Sequence, residues 1–245
     1  MGHDLTFEFF DFTDGIDPSA ARTALPFDVV HVWRRPLLTD ASAVAQAQKL
    51  LCSEERERAL RYRVDFARNA FLLTRSALRL LLANYLDESP QQLRFRLTEY
   101  GKPFLDRVSD LHFNVSHTDG LALLAFVRKH RVGVDVEKIR TQPDALRLAR
   151  RFFSDKERKE LENLPANALP ASFFRCWSRK EAYIKASGKG LSLPLNEFDV
   201  SVKEHPGQIL LATRPDPGEA RRWLVRDVPV GSEYAAAIAI GDVAK

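Results

Sequence analysis

Leu111-His112-Phe113-Asn114-Val115-Ser116, Leu121-Ala122-Leu123-Leu124-Ala125-Phe126-Val127 and Val132-Gly133-Val134-Asp135-Val136-Glu137 are three strand-like runs in one short stretch. Thr118-Asp119-Gly120 separates the first two and residues 128–131 the last two, so the spacing predicts an antiparallel meander. In the third run the period of two sends Val132, Val134 and Val136 to one face. Gly133, Asp135 and Glu137 share the other, so two carboxylates project side by side from a rigid element.

Outward from this stretch the periodicity changes. Ser53 caps a predicted helix with Glu54 and Glu55 in its first turn, where the helix dipole favours acids. Asp65 caps a longer one in which Phe66, Ala70, Leu73, Ala77 and Leu80 recur at helical spacing, ending at residues 87–90. Upstream, residues 29–33 read as a strand stopped by Pro36. Residues 1–27 show no pattern beyond a turn at Asp14-Gly15-Ile16-Asp17-Pro18. Leu93, Phe95 and Leu97 alternate with Arg94, Arg96 and Thr98 as a half-buried strand running into Gly101-Lys102-Pro103. Downstream, a charged helical segment covers residues 144–163, and Ser172 begins a helix that ends at Gly188. Strands are expected at residues 198–202, 209–212, 223–225 and 234–240. A helix leading into Tyr100-Gly101-Lys102 is echoed by one leading into Ser187-Gly188-Lys189. The expected fold class is therefore α+β, in two similar halves, residues 1–130 and 131–245.

Bulk properties narrow the class. The 245 residues are 45% hydrophobic and 29% charged, as in ordinary globular proteins. No apolar run is long enough to cross a bilayer, and the first residues lack a secretion-signal pattern. Cys52 and Cys176 are far apart and suggest neither a disulfide framework nor a zinc site, so a reducing cytoplasm is expected. Lys plus Arg total 37 against 33 for Asp plus Glu, a net of +4. That suits an acidic partner or a phosphate-rich ligand without arguing for nucleic acid.

Three groups of residues could carry chemistry. Asp135 and Glu137, both ionised, need a cation, and hard oxygen ligands favour Mg²⁺ or Mn²⁺; salt partners at Lys138 and Arg140 are the plain alternative. In Phe173-Phe174-Arg175-Cys176-Trp177-Ser178-Arg179-Lys180-Glu181-Ala182-Tyr183-Ile184-Lys185, the residues Phe173, Trp177 and Ile184 form a core stripe, with Glu181 and Lys185 on an adjacent face. Glu181 is either half of a surface ion pair or a third acid for the same ion. Lys102, Ser116 and His117 offer donors suited to a phosphate, or simply close a hairpin. Ser116 and His117 are neighbours on a strand, which argues against a direct nucleophile–base pair. Walker, dinucleotide and G-x-S-x-G patterns are absent from the sequence.

Taken in order, Gly101-Lys102-Pro103, Phe113-Asn114-Val115-Ser116-His117, Gly133-Val134-Asp135-Val136-Glu137 and the 177–185 block resemble the 4'-phosphopantetheinyl transferase superfamily. The match is closest to its larger monomeric type, which activates surfactin and other nonribosomal synthetases. It runs from about residue 50 to residue 202, including Gly188-Lys189-Gly190-Leu191-Ser192-Leu193-Pro194-Leu195. The resemblance implies transfer of phosphopantetheine from coenzyme A to a serine of an apo acyl or peptidyl carrier protein, with release of 3',5'-ADP. It implies Mg²⁺ on Asp135, Glu137 and Glu181, with Glu181 also accepting the serine proton and Lys185 near the pyrophosphate. Arg56, Lys102, Ser116 and His117 match positions around the 3'-phosphate of coenzyme A. The helix with Arg68 and Arg75 aligns loosely, and Phe71 stands near a position that is polar in the surfactin-type enzymes. The implied fold has two pseudo-symmetric halves with coenzyme A in the cleft between them. Such a chain needs no second copy, so a monomer is expected, with no membrane or nucleic-acid partner. Carriers of this kind are usually acidic, which fits the net charge. The rival readings are a metal-dependent phosphodiester hydrolase using the same acids and a non-catalytic coenzyme A or acidic-protein binding module.

Overall fold

The computed structural model describes residues 5–13, 25–37, 40–204 and 209–242. In chain order the strands are β1 (Thr6–Asp11), β2 (Val29–Pro36), β3 (Phe95–Leu97), β4 (Pro103–Leu105), β5 (Leu111–Thr118), β6 (Leu121–Arg128), β7 (His130–Lys138), β8 (Phe198–Val200), β9 (Leu210–Thr213), β10 (Trp223–Asp227) and β11 (Tyr234–Asp242). The helices are α1 (Ala41–Leu50), α2 (Ser53–Leu60), α3 (Asp65–Leu86), α4 (Ala145–Phe152), α5 (Asp155–Glu162) and α6 (Leu169–Ser187). The fold is α+β.

The predicted meander is only half right. β5 and β6 pair antiparallel, but the sheet runs β1-β2-β6-β5. β2 occupies the edge of β6 that β7 would have used, from Val30↔Val127 to Pro36↔Leu121. Displaced, β7 pairs with β11 in a second sheet, β10-β11-β7. It still lies beside β5, joined through side chains: Val134 N donates to Asn114 Oδ1 at 2.8 Å and Lys138 N to Thr118 Oγ1 at 3.2 Å. The Asn114 and Thr118 contacts advance in the same direction along both strands.

The apolar faces stack in four layers. Ala77, Leu78, Leu81 and Leu82 of α3 cover Trp33, Phe113, Leu124 and Phe126 on one face of the first sheet. Its other face, with Val30, Val32, Leu123 and Ala125, packs on Val132, Val134, Val136, Ile238 and Ile240 of the second. The far face of the second sheet carries Ala235, Ala237 and Ala239 against α6. The order is α3, sheet, sheet, α6. In the first layer boundary Trp33 Nε1 donates to Tyr85 Oη at 2.8 Å, so the Tyr85 hydroxyl donates to His31 Nδ1, also at 2.8 Å. That leaves the Nε2 proton of His31 for Glu8 on β1. Residues 1–27, read as patternless, thus supply an edge strand parallel to β2.

Several predicted boundaries move. Cys52, not Ser53, is the N-cap of α2, where its N–H meets Glu55, and Val64, not Asp65, precedes α3. The segment 144–163 is two helices, because Ser154 caps α5 with a capping box completed by Glu157. The helix predicted from Ser172 begins at Leu169, with Pro170 in its first turn. It ends as expected on Gly188, left-handed at φ 72°. The turn expected at residues 14–18 lies outside the described residues.

Candidate active site

Asp135 and Glu137 face α6 because the intervening valines are drawn into the inter-sheet core. Opposite Gly133, Asp135 and Glu137 in the register stand Ala239, Ala237 and Ala235, so small side chains leave α6 room to approach. It approaches very closely: a Cβ on Gly133 would lie 2.2 Å from the Ala182 carbonyl oxygen. Glu181 and Lys185, one helical turn apart, are thereby held over the carboxylate end of β7.

Lys185 Nζ donates to Asp135 Oδ1 at 2.7 Å, to Ser116 Oγ at 3.0 Å and to the Val134 carbonyl at 3.2 Å. Ser116 in turn donates to Asp135 Oδ1 at 3.0 Å. Its hydroxyl is therefore held by a carboxylate and an ammonium, not by His117. Asp135 is buried, and its second oxygen, Oδ2, has no hydrogen-bond partner. Burial, then the Asp135 charge, raises the carboxyl pKa of both Glu137 and Glu181.

These residues line one wall of a cleft of about 570 Å³. The other wall comes from α2, α3 and the link between them and carries Arg58, Tyr62, Phe71, Thr74 and Arg75, with Ser116 and His117 also lining the cleft. Arg58 lies over the Phe71 ring at 5.2 Å. Arg75 shares Glu55 with Arg79: its Nε stands 3.6 Å from Glu55 Oε1, while Arg79 Nε is 2.7 Å from Oε2. One terminal nitrogen of Arg75 is buried without a partner. Burial lowers its pKa, Glu55 opposes this, and Arg58 and Arg79 add to it. Such a group is short of anions.

Two expected phosphate ligands lie elsewhere. Arg56 does not line the cleft; its guanidinium donates to the Leu51 carbonyl at 2.6 Å. Lys102 donates to the carbonyls of Val132 at 2.7 Å and Lys185 at 2.9 Å, and lines a separate cavity beyond Glu181 and Lys185. Its ammonium staples the β3–β4 turn to β7 and α6. The sequence reading missed Arg58 and left Arg75 unassigned; helical spacing from Phe71 to Arg75 was the available signal. Trp177, read as core, is half-buried and lines the cleft while packing on Phe152, Phe153 and Phe173. Arg68 pairs with Asp65.

Among the described residues no three His, Cys, Asp or Glu side chains converge as a ready-made ion site. The donor set still fits a hard cation: three carboxylates on one wall, two with raised pKa, and an orphaned buried oxygen on the third. In this arrangement the Lys185 ammonium supplies the countercharge.

Across one cleft this α+β chain sets an arginine with an unsatisfied nitrogen against three carboxylates, an arrangement that can receive phosphate groups on one wall and a cation on the other. Comparison with known proteins agrees. Residues 131–239 match the 4'-phosphopantetheinyl transferase superfamily, and residues 38–129 match the 4'-phosphopantetheinyl transferase N-terminal family. The 4'-phosphopantetheinyl transferase HetI of Nostoc sp. is 37% identical over 188 residues, covering 76% of this chain and 79% of its own. A 4'-phosphopantetheinyl transferase of Bacillus subtilis is 32% identical, covering 76% of this chain and 80% of its own. The B. subtilis transferase Sfp is 35% identical over 156 residues, covering 64% and 68%. The chain belongs to the 4'-phosphopantetheinyl transferase superfamily. It is an enzyme that transfers phosphopantetheine from coenzyme A to carrier proteins.

Proposed function

We propose that the cleft binds coenzyme A with Mg²⁺, or Mn²⁺ in its place, and that the acceptor is a serine of an apo acyl or peptidyl carrier protein. The 3'-phosphate goes to Arg75 and Arg58, flanked by His117, because Arg75 carries an unsatisfied buried nitrogen on that wall. The pyrophosphate lies toward Asp135, Glu137 and Glu181. A divalent ion held there would supply positive charge against the pyrophosphate and the departing oxygen. Asp135, Glu137 and Glu181 are the residues that would hold it, and the orphaned Asp135 Oδ2 is the observation that carries this assignment.

The serine oxygen bonds to the β-phosphorus as the bond to the bridging oxygen breaks, and 3',5'-ADP leaves. Glu181, held on α6 over the carboxylate end of β7 and lining the cleft, takes the serine proton. Lys185 reaches the same wall and meets the negative charge that develops there. Ser116 holds Lys185 and Asp135 in register from β5. Both cleft walls come from one chain, which supports a monomer. A cytoplasmic location is supported by the two free cysteines. Among the described residues no helix is long and apolar enough to cross a membrane. The two family matches abut at residue 130, which supports the division into halves there.

The test is to incubate the protein with coenzyme A, Mg²⁺ and several apo carriers and weigh the carriers by mass spectrometry. The expected result is a phosphopantetheine gain that a chelator abolishes. Asp135→Asn and Glu181→Gln should each lower the rate on the order of a hundredfold or more while remaining folded. Undiminished transfer by either variant contradicts the assignment, and consumption of coenzyme A without an acceptor would favour a hydrolase.

A further inference from the structure

The connection between α2 and α3 faces two ways. Arg58 and Tyr62 point into the cleft. Interleaved with them, Leu60 is 77% exposed and Val64 63%, with Phe66 at 44% just beyond. Isolated exposed apolar residues are ordinary. Three within seven positions, spanning the end of α2, the link and the start of α3 beside the cleft-lining Arg58 and Tyr62, offer an apolar surface. The link is shaped by its own backbone: Arg61 N donates to the Arg58 carbonyl and Tyr62 N to that of Ala59. Arg61 and Arg63 are exposed beside these side chains and have no ion-pair partner among the described residues. The opposite rim, with Tyr100 and Phe104 exposed, carries mixed charge, and Arg96 there already meets Asp106.

We propose that Leu60, Val64 and Phe66, framed by Arg61 and Arg63, are the docking surface for the acceptor: an acidic carrier domain that lays an apolar helix face on this rim. The argument rests on the transferase reading of the cleft, which requires an acceptor serine to enter beside Glu181. An apolar centre with unpaired arginines around it is complementary to a helix with acidic flanks, and it gives orientation as well as faster encounter.

Transfer kinetics with the apo carrier as the varied substrate test this. A Leu60→Asp, Val64→Asp double variant should raise KM for the carrier at least tenfold, about 1.4 kcal/mol. Its kcat and its affinity for coenzyme A should not change, and its melting curve should still show a cooperatively folded protein, with the new aspartate at the N-cap of α3 offsetting the one at the end of α2. Arg61→Glu with Arg63→Glu should lower kcat/KM at low salt and flatten its salt dependence. Val108→Asp, at a fully exposed apolar residue between β4 and β5, should do nothing. An unchanged KM in the Leu60, Val64 variant overturns the docking surface, and so does an equal rise with Val108→Asp. Sedimentation showing a wild-type dimer that the double variant dissolves assigns the patch to a second copy and also overturns it. Failure of the wild type to load any apo carrier overturns the transferase reading as well, so the two failures are distinguishable.

Discussion

At the scale of single residues, the cleft separates side chains that look alike in sequence. Arg56 and Arg58 stand two apart on α2, about 200° around the helix axis, so only one of them can face a given wall. The structure gives the cleft to Arg58. Arg75 owes its importance to what surrounds it: Glu55 is already held by Arg79 at 2.7 Å, and a terminal nitrogen of Arg75 is left without an acceptor. Replacing it leaves no carboxylate stranded. Arg75→Met should therefore keep the melting temperature and raise the Kd for coenzyme A tenfold or more. Dephospho-coenzyme A, which lacks the 3'-phosphate, should bind the variant and the wild type alike. Calorimetric titration of both ligands measures this, and an equal loss for the two would assign Arg75 to another part of the ligand.

At the scale of elements, β7 and α6 make the site through one close contact. An alanine at position 133 would place its Cβ 2.2 Å from a helix carbonyl and 2.3 Å from the Ala186 nitrogen, both backbone atoms with little freedom to yield. Gly133→Ala should cost about 1–3 kcal/mol in urea unfolding, by analogy with overpacked cores. It should also slow transfer by moving Glu181 and Lys185 off Asp135, and a fully active, equally stable variant would contradict this account. The same helix shows why four neighbouring charges do not share one task. Lys180 and Glu157 form a fully buried pair at 2.8 Å, and Lys180 Nζ also donates to the carbonyls of Leu195 and Phe198. Arg179 binds Asp227 with both arms and the Ser201 and Lys203 carbonyls besides. Glu181 and Lys185 line the cleft, while Arg179 and Lys180 fasten the C-terminal strands to the helix.

At the scale of the whole molecule, Lys102 ties the β3–β4 turn to β7 and α6, and its titration reports on that joint. Burial, then repulsion from Lys185 and Arg131, lowers its pKa to about 8. An unfolded lysine titrates near 10.5. Between these values the unfolded chain holds a proton that the folded chain has released, so unfolding takes up a proton and stability rises with pH across the window. Below about pH 8 both states are charged and the cost of the buried charge is present in full. Stability of the wild type relative to Lys102→Met should thus increase from pH 8 to 10.5, by up to about 3 kcal/mol. Chemical denaturation of both proteins across that range checks it, and a flat difference would show that the two carbonyl acceptors hold the charged form throughout.

The α+β class, the strands at β5, β6 and β7, the capped end of α6 at Gly188 and the inward valines of β7 all follow from periods of two and 3.6 and from turn residues, which are local properties. Asp135, Glu137, Glu181 and Lys185 were legible for the same reason, since each sits at a defined phase of its own element. Tertiary structure alone decided that β2 would take the edge of β6, sending β7 to β11, because competition for a strand edge depends on segments far away in the chain. It also decided that Arg58 and Arg75 face the cleft while Arg56 and Lys102 hydrogen-bond to backbone carbonyls. A side chain's partner is set by what packs against it, and spacing along one element says nothing about the element on the other side.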